Sequence, residues 1–358
     1  MTNALDYLNW RGDLSFEDSP FNEVDFFLCG QLSTPDYSGI VGEDGPGISI
    51  TEVADKYFET HTEDVGNLGV LQSVYVLPEL RMLPGTARFR DLKLSHAVNR
   101  VVESNTEQFA AVTIEIPGNG ICVSIRGTDD TIIGWKEDFN LATKDHVPAQ
   151  EDAVKYLIEA AKRHRFKKIR VCGHSKGGNL AIFAAANAPK WVQRRIERVC
   201  SFDGPGFREA FFGNKGYLYL NGKVSTVLSQ NAIVGKLLNP AGEQIIVKSS
   251  KNGPMAHDGF SWEVIGDHFV KCPDFSESSK AFDDAMTETL DSMDDEEKQE
   301  FVDELFDTLL STGATTITEL KEISLPGVLS MAKSFHGDKK VHRFVLSVTE
   351  QLIKPTKE

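Results

Sequence analysis

Residues 173–177 read Gly-His-Ser-Lys-Gly, a serine held between glycines. A serine hydroxyl attacks a carbonyl efficiently only when a base removes its proton. The chemistry to look for is therefore a serine, histidine and carboxylate relay. The G-x-S-x-G pattern is weak alone and gains meaning from its flanks: the β-branched run KIRVC precedes it and the alanine-rich run NLAIFAAANA follows it. That is the strand–turn–helix context of a nucleophile elbow, in which the serine stands exposed on a sharp turn. Gly173 and Gly177 remove side chains that would collide across such a turn, and Gly178 lets the helix lie close to the sheet. The helix N-terminus also directs unpaired N–H groups at the site, which favours an oxyanion.

The partners must come from other loops. Of nine histidines, His257 lies on SKNGPMAHDGFSW, directly after the strand-like run EQIIVKS, where a base of this kind follows its nucleophile. His268 lies farther past that strand, His336 and His342 fall in a helical tail, and His61, His96 and His146 precede the serine. His174 sits in the elbow and, by strand alternation, points away from Ser175. For the acid, the run KVSTVLS ends at Gln230 and Asn231, neither a carboxylate. One strand earlier, Asp203 stands at the carboxyl end of ERVCSF, and neighbouring strand ends lie only ~4.8 Å apart. Asp203 is thus the expected acid, with an aspartate capping the DGPG turn as the plain alternative. An oxyanion needs two donors: the backbone N–H of Lys176, and Thr128 at the end of ICVSIRGT through its N–H and its hydroxyl. The Lys176 side chain is read as solvated at the mouth of the site, with a preference for an anionic substrate as the alternative. Phe207, Phe211, Phe212 and Tyr217, in GFREAFFGNKGYLYL, are candidates to line or cover an acyl pocket, with core packing the equal alternative.

Several elements must position these groups. FAAVTIEI and ICVSIRG read as strands joined by a PGNG hairpin turn. AQEDAVKYLIEAAKRHR is an amphipathic helix with Val154, Leu157, Ile158 and Ala161 on one face. Strands and helices then alternate, which implies an α/β fold with a mostly parallel central sheet flanked by helices. Earlier in the chain FNEVDFFLCGQL reads as a buried helix, and Ser49 with Glu52 as a capping box. Later, MDDEEKQEFVDELFDTLLSTG is amphipathic, with a stripe of Phe301, Val302, Leu305, Phe306, Leu309 and Leu310. A last helix, KKVHRFVLSVTEQLI, closes the chain.

Composition narrows the function classes. The chain has 358 residues, 41% of them hydrophobic, and a formal net charge of −15 at pH 7. The hydrophobic share fills a sizeable core, and the charge argues against nucleic acid and anionic membranes as partners. Five cysteines, none close together in sequence, suit a reducing compartment and form no zinc or redox pair. No signal peptide and no apolar run of ~20 residues is seen, so a cytoplasmic location is expected. No dinucleotide fingerprint or phosphate loop is present, and no metal or cofactor is expected.

CVSIRGT followed by W-x-x-D (Trp135, Asp138) resembles the oxyanion segment of the class 3 lipases, and VCGHSKGGNLA resembles their nucleophile elbow. SFDGPGF stands where those enzymes carry a Phe-Gly-x-Pro turn, while DYLNWRGDLSF and FNEVDFFLCGQLS resemble a bacterial branch of lipase-like α/β-hydrolases. The resemblance covers most of residues 4–265. It implies the α/β-hydrolase fold and a serine hydrolase of lipase or esterase type that cleaves carboxylic esters through an acyl-enzyme. Ser175 would attack, His257 would move the proton, and the amides of Lys176 and Thr128 would hold the oxyanion. The family's acid position falls here on Ser-Gln-Asn, so Asp203 rests on strand geometry alone. The implied division is an N-terminal helical and loop segment at 1–105, an α/β-hydrolase core at 106–272 and a C-terminal helical extension at 273–358, in one structural domain. The implied substrate is a small acyl ester or a lipid-like molecule. The same triad serves acyltransferases, thioesterases and amidases, and a non-catalytic binding module on this fold is the alternative from another class.

Overall fold

The structure is a computed structural model that describes residues 2–61, 73–291, 293–316 and 319. In chain order it begins with α1 (Ala4–Arg11), α2 (Glu23–Gln31), β1 (Ile48–Ser49), α3 (Ile50–Thr60) and α4 (Val76–Met82). Next come β2 (Lys93–Val102), β3 (Glu107–Ile116), β4 (Gly120–Ile125), α5 (Ile132–Thr143) and α6 (Pro148–Arg163). The elbow region holds β5 (Ile169–His174), α7 (Lys176–Asn187), α8 (Lys190–Gln193), β6 (Ile196–Phe202) and α9 (Lys215–Tyr219). The chain continues through β7 (Val224–Ser229), β8 (Glu243–Val247), a small pair β9 (Val264–Ile265) and β10 (His268–Phe269), then α10 (Glu277–Asp291) and α11 (Asp295–Leu310).

Strands β1 to β8 form one eight-stranded sheet in sequence order. Pairing is antiparallel from β1 to β4 and parallel from β4 to β8. This mostly parallel sheet with flanking helices is the α/β-hydrolase fold. The β3–β4 hairpin turns where PGNG stands, with Gly118 at φ 72°, a conformation that glycine adopts at little cost.

The parity of the strands sorts the two faces. In β4 and β5, Ile121, Val123, Ile125, Ile169 and Val171 pack with α6 and α7 in one buried cluster. Cys122, Cys172 and Cys200 face the other way, under Phe27 of α2 and the buried side chains of α1, α3 and α4. The thiols are free and serve as small core residues. The N-terminal helices are fastened by a buried ion pair. Arg88 Nε donates to Asp25 Oδ1 at 2.7 Å, and the guanidinium also donates to the carbonyls of Leu14, Ser15, Ser19 and Pro20.

Three local features depart from the sequence reading. The ten-residue strand β2 lies where helices and turns were expected. A bulge between Ser95 and Val98, with His96 at φ 51°, breaks the alternation that would have marked it. At α3, Ser49 Oγ accepts the Glu52 N–H at 3.2 Å, while the reciprocal half of a capping box does not form. The buried face of α6 is centred on Ala153, Tyr156, Leu157, Ala160 and Ala161, with Val154 and Ile158 at its margin.

Helix α11 packs on α5. Val302 and Phe306 are buried, Phe306 meets Phe139 at 5.4 Å between ring centroids, and Lys136 Nζ reaches Asp303 at 2.9 Å. Thr131, the N-cap of α5, bridges to Thr316. The side chains of Phe301 and Leu305, and the last helix with His336 and His342, lie outside the described residues. Among the described residues no helix is long and apolar enough to cross a membrane.

Candidate active site

Strand β5 runs into α7 through a single residue, Ser175, at φ 58° and ψ −136°. A left-handed φ on a non-glycine residue costs about 1–3 kcal/mol and persists only where the surroundings enforce it. The surroundings here are backbone. Ser175 N–H donates to Phe202 O at 2.9 Å, and Ser175 O accepts Gly178 N–H at 2.8 Å. A Cβ on Gly173 would lie 2.3 Å from the Gly177 backbone, and one on Gly178 would lie 2.2 Å from Ser201 Oγ. The glycines therefore permit the turn for the reasons the sequence suggested.

Asp203 directly follows β6 and is also left-handed, at φ 50°, a region aspartate tolerates better than most residues. Its N–H donates to Val227 O at 2.8 Å. Its side chain is fully buried, and Oδ2 stands 2.6 Å from His257 Nδ1. Gly235 closes over the other oxygen, since a Cβ there would meet Asp203 Oδ1 at 2.5 Å. His257 is 4% exposed, and its Nε2 is buried without a hydrogen-bond partner among the described residues. A carboxylate only accepts, so Nδ1 carries a proton in this contact. Ser175 Oγ therefore makes no hydrogen bond to Nε2 here; a nucleophile–base hydrogen bond often forms fully only in the substrate complex.

His174 links this pair to the elbow. Its Nε2 donates to the His257 carbonyl at 2.7 Å, and the two rings stand 4.5 Å apart. Burial first, and the neighbouring His257 second, push His174 down to about 3, so its ring is neutral and its proton sits on Nε2. The ring thus reaches the loop that carries His257. Where the family acid was sought, Asn231 instead braces that loop: its Nδ2 donates to Lys251 O at 2.8 Å and to Asn252 Oδ1 at 3.0 Å.

The segment expected to supply the second oxyanion donor follows β4. A Cβ on Gly127 would fall 2.9 Å from Ser175 Cβ, so only glycine lets this loop approach the elbow. Thr128 follows, and its hydroxyl donates to Asp138 Oδ2. Loss of solvent raises the Asp138 carboxyl to about 6, against the opposing pull of Lys176 and the Thr128 hydroxyl. As the first residue of α7, Lys176 has a backbone N–H without an intrahelical acceptor.

One sequence expectation needs correction. The Lys176 side chain is not solvated. It is wholly buried and bonded to Glu137 Oε2 at 2.9 Å and to Gln108 Oε1 at 2.7 Å. For the aromatic run, the contacts are those of the core-packing alternative. Phe211 stacks on Phe207 at 3.8 Å and on Phe183 of α7 at 6.4 Å, with Phe212 and Tyr217 against it. Tyr217 OH accepts Gly242 N–H at 2.9 Å. The backbone of Gly216 meets Ala186 O near the far end of α7, roughly 15 Å along the helix from the elbow. These rings pack the core because α9 docks on the last turn of α7.

Sequence reasoning missed Glu137, Gln108 and Asn179. Asn179 Nδ2 donates to Gly206 O at 2.8 Å and its Oδ1 accepts Gln150 Nε2 at 2.7 Å, which pins the turn after Asp203 to α7. No local spacing announces such pairs, because the partners lie on separate elements.

The sequence pattern of a family described as Mbeg1-like matches residues 83–307, well over half of the chain. Comparison with the curated proteins finds no match. Among solved structures the chain is similar to a Rhizomucor miehei lipase propeptide complex, at 14% identity and a TM-score of 0.38, covering 62% of this chain and 67% of that one. It is also similar to the Lip2 lipase from Yarrowia lipolytica, at 15% identity and a TM-score of 0.37, covering 62% and 77%. A structure titled as fungal lipases gives 12% identity and a TM-score of 0.43, covering 72% and 88%. Likeness at this level is slight.

Proposed function

The chain belongs to the Mbeg1-like family, and from that premise we propose that it is a serine hydrolase of lipase or esterase type acting on carboxylic esters. The observation that carries the reading is the buried Asp203–His257 pair at the edge where Ser175 stands on a strained elbow. Asp203 holds the imidazole with Nε2 free to accept a proton. As Ser175 Oγ bonds to the acyl carbon, its proton passes to Nε2 and the carbonyl electron pair moves onto oxygen. The N–H of Lys176 and Thr128 receive that oxyanion. When the pair returns, the ester C–O bond breaks and the leaving alcohol takes the proton from Nε2. Water repeats the sequence on the acyl-enzyme and releases the acid. The neighbouring Asp203 charge stabilises the imidazolium of each transition state.

The apolar side chains beside the His257 loop suit an acyl chain. Met255 is 44% exposed, Val74 64% and Tyr75 41%, and the Tyr75 ring lies 5.8 Å from Phe260. Buried apolar surface there would stabilise a bound chain by ~25 cal/mol per Å². A series of p-nitrophenyl esters from acetyl to dodecanoyl tests both parts. Wild type should hydrolyse them with a preference set by chain length. Ser175→Ala and His257→Ala should each lose on the order of 10⁴-fold or more, and Met255→Asp should flatten the preference. Equal hydrolysis by Ser175→Ala would overturn the assignment.

A further inference from the structure

A lysine one residue past a nucleophile is expected in solvent, yet Lys176 and Glu137 are both fully buried. The ammonium uses its three hydrogens on Gln108 O at 3.0 Å, Gln108 Oε1 at 2.7 Å and Glu137 Oε2 at 2.9 Å. Glu137 Oε2 also accepts Gln108 N–H at 3.1 Å, and Oε1 accepts Ala149 N–H at 2.9 Å in the first turn of α6. Each charge is thus satisfied on several sides. Satisfaction alone does not explain the pair, because two apolar side chains of similar volume commonly serve stability as well or better.

Its place in the fold is more informative. Lys176 supplies from α7 one of the two oxyanion amides. Glu137 stands on α5 next to Asp138, which accepts the Thr128 hydroxyl and so grips the other side of the cradle. A single side-chain pair therefore spans the two elements whose spacing sets where the donors point, with Gln108 of β3 as a third anchor. We propose that the Lys176–Glu137 pair is a positioning device that fixes the two halves of the oxyanion cradle against each other. This rests on the hydrolase reading above. Neither side chain touches substrate. They act through the amide of Lys176 and through α5, and a donor displaced by about 1 Å is enough to cost on the order of 10²-fold in rate.

The test compares wild type, Glu137→Gln and the double variant Lys176→Met with Glu137→Met. Active sites are counted with a fluorophosphonate, and kcat and KM are measured on p-nitrophenyl butyrate. The inhibition constant of a trifluoromethyl ketone is measured alongside, because its serine adduct carries the oxyanion. Per labelled site, kcat should fall roughly 10- to 100-fold, with KM within about threefold and ketone affinity falling in step with kcat. Melting of the double variant should fall somewhat, because Gln108 N–H and Ala149 N–H lose their acceptor, though no unpaired charge is left buried. A purely structural role would lower the melting temperature and the fraction labelled while leaving kcat per site and ketone affinity intact. That outcome, or unchanged ketone affinity, overturns the proposal and leaves the hydrolase reading standing. Wild type that takes no label at Ser175 overturns both. Glu137→Gln, which keeps shape and one acceptor oxygen, gives the same reading if the double variant does not fold.

Discussion

Asp203→Asn exchanges one carboxylate oxygen for an amide NH2 and should nearly abolish turnover. In the native pair a buried carboxylate oxygen lies 2.6 Å from His257 Nδ1. Asparagine has almost the same shape and fits the same space beneath Gly235, whose backbone closes on Oδ1. If its NH2 group faces the ring, it donates to Nδ1 and forces the proton onto Nε2, which removes the base. If its oxygen faces the ring, the tautomer survives but the charge that stabilises the imidazolium is gone. Such a change costs about 10⁴-fold in kcat, equivalent to roughly 5.5 kcal/mol of transition-state stabilisation. The assay is kcat for a p-nitrophenyl ester at saturating substrate, read beside circular dichroism and thermal melting. Those should stay close to wild type, because the volume is kept and a buried charge is removed. A correctly folded Asp203→Asn protein with kcat within about tenfold of wild type would refute the reasoning and leave the acid unassigned.

The His174 ring, held near 3 by burial, titrates at about 6.5 when unfolded. The folded state then binds fewer protons between those values, so this contribution to stability is present at neutral pH and lost as pH falls below 6.5. His174→Gln keeps a donor for the His257 carbonyl and should flatten urea stability between about pH 4 and pH 6.5. Asp138 has the opposite sign: its carboxyl is raised to about 6, so ionising it costs the fold up to about 3 kcal/mol as pH rises through that range. Asp138→Asn should therefore gain stability at pH 8 relative to wild type while losing kcat, and a variant that keeps full kcat would separate Thr128 from the cradle. Arg88→Met leaves Asp25 buried without its cation and should lower unfolding free energy by about 3–5 kcal/mol, read as a reduced urea midpoint. A change under about 1 kcal/mol would show that the pair is not the anchor of the N-terminal helices.

The sequence was most legible where local chemistry sets local geometry. The elbow glycines, the PGNG hairpin and the parallel strands after β4 follow from residue types at fixed spacing, and the backbone meets them there. Asp203 was reachable because a strand end and its neighbour are only a few ångströms apart, a fact of sheet geometry rather than of sequence. What stayed hidden depends on contacts between distant segments. Lys176 looks solvated until Glu137, on another helix, is seen to bury it. The aromatic run reads equally as pocket or core until Gly216 is seen docked on Ala186. Strand β2 escaped notice because its bulge at Ser95–Val98 shifts the alternation halfway along. In each case a tertiary partner overrides a pattern read over a few residues.

Whether Ser175 is an activated nucleophile is measured most directly by covalent labelling. Purified protein is incubated with a fluorophosphonate at neutral pH, digested, and the peptide containing Ser175 is analysed by mass. One phosphonyl adduct on Ser175 is expected in wild type, with sharply slower labelling in His257→Ala. No adduct on the folded protein, or an adduct elsewhere with Ser175 untouched, would contradict the hydrolase reading.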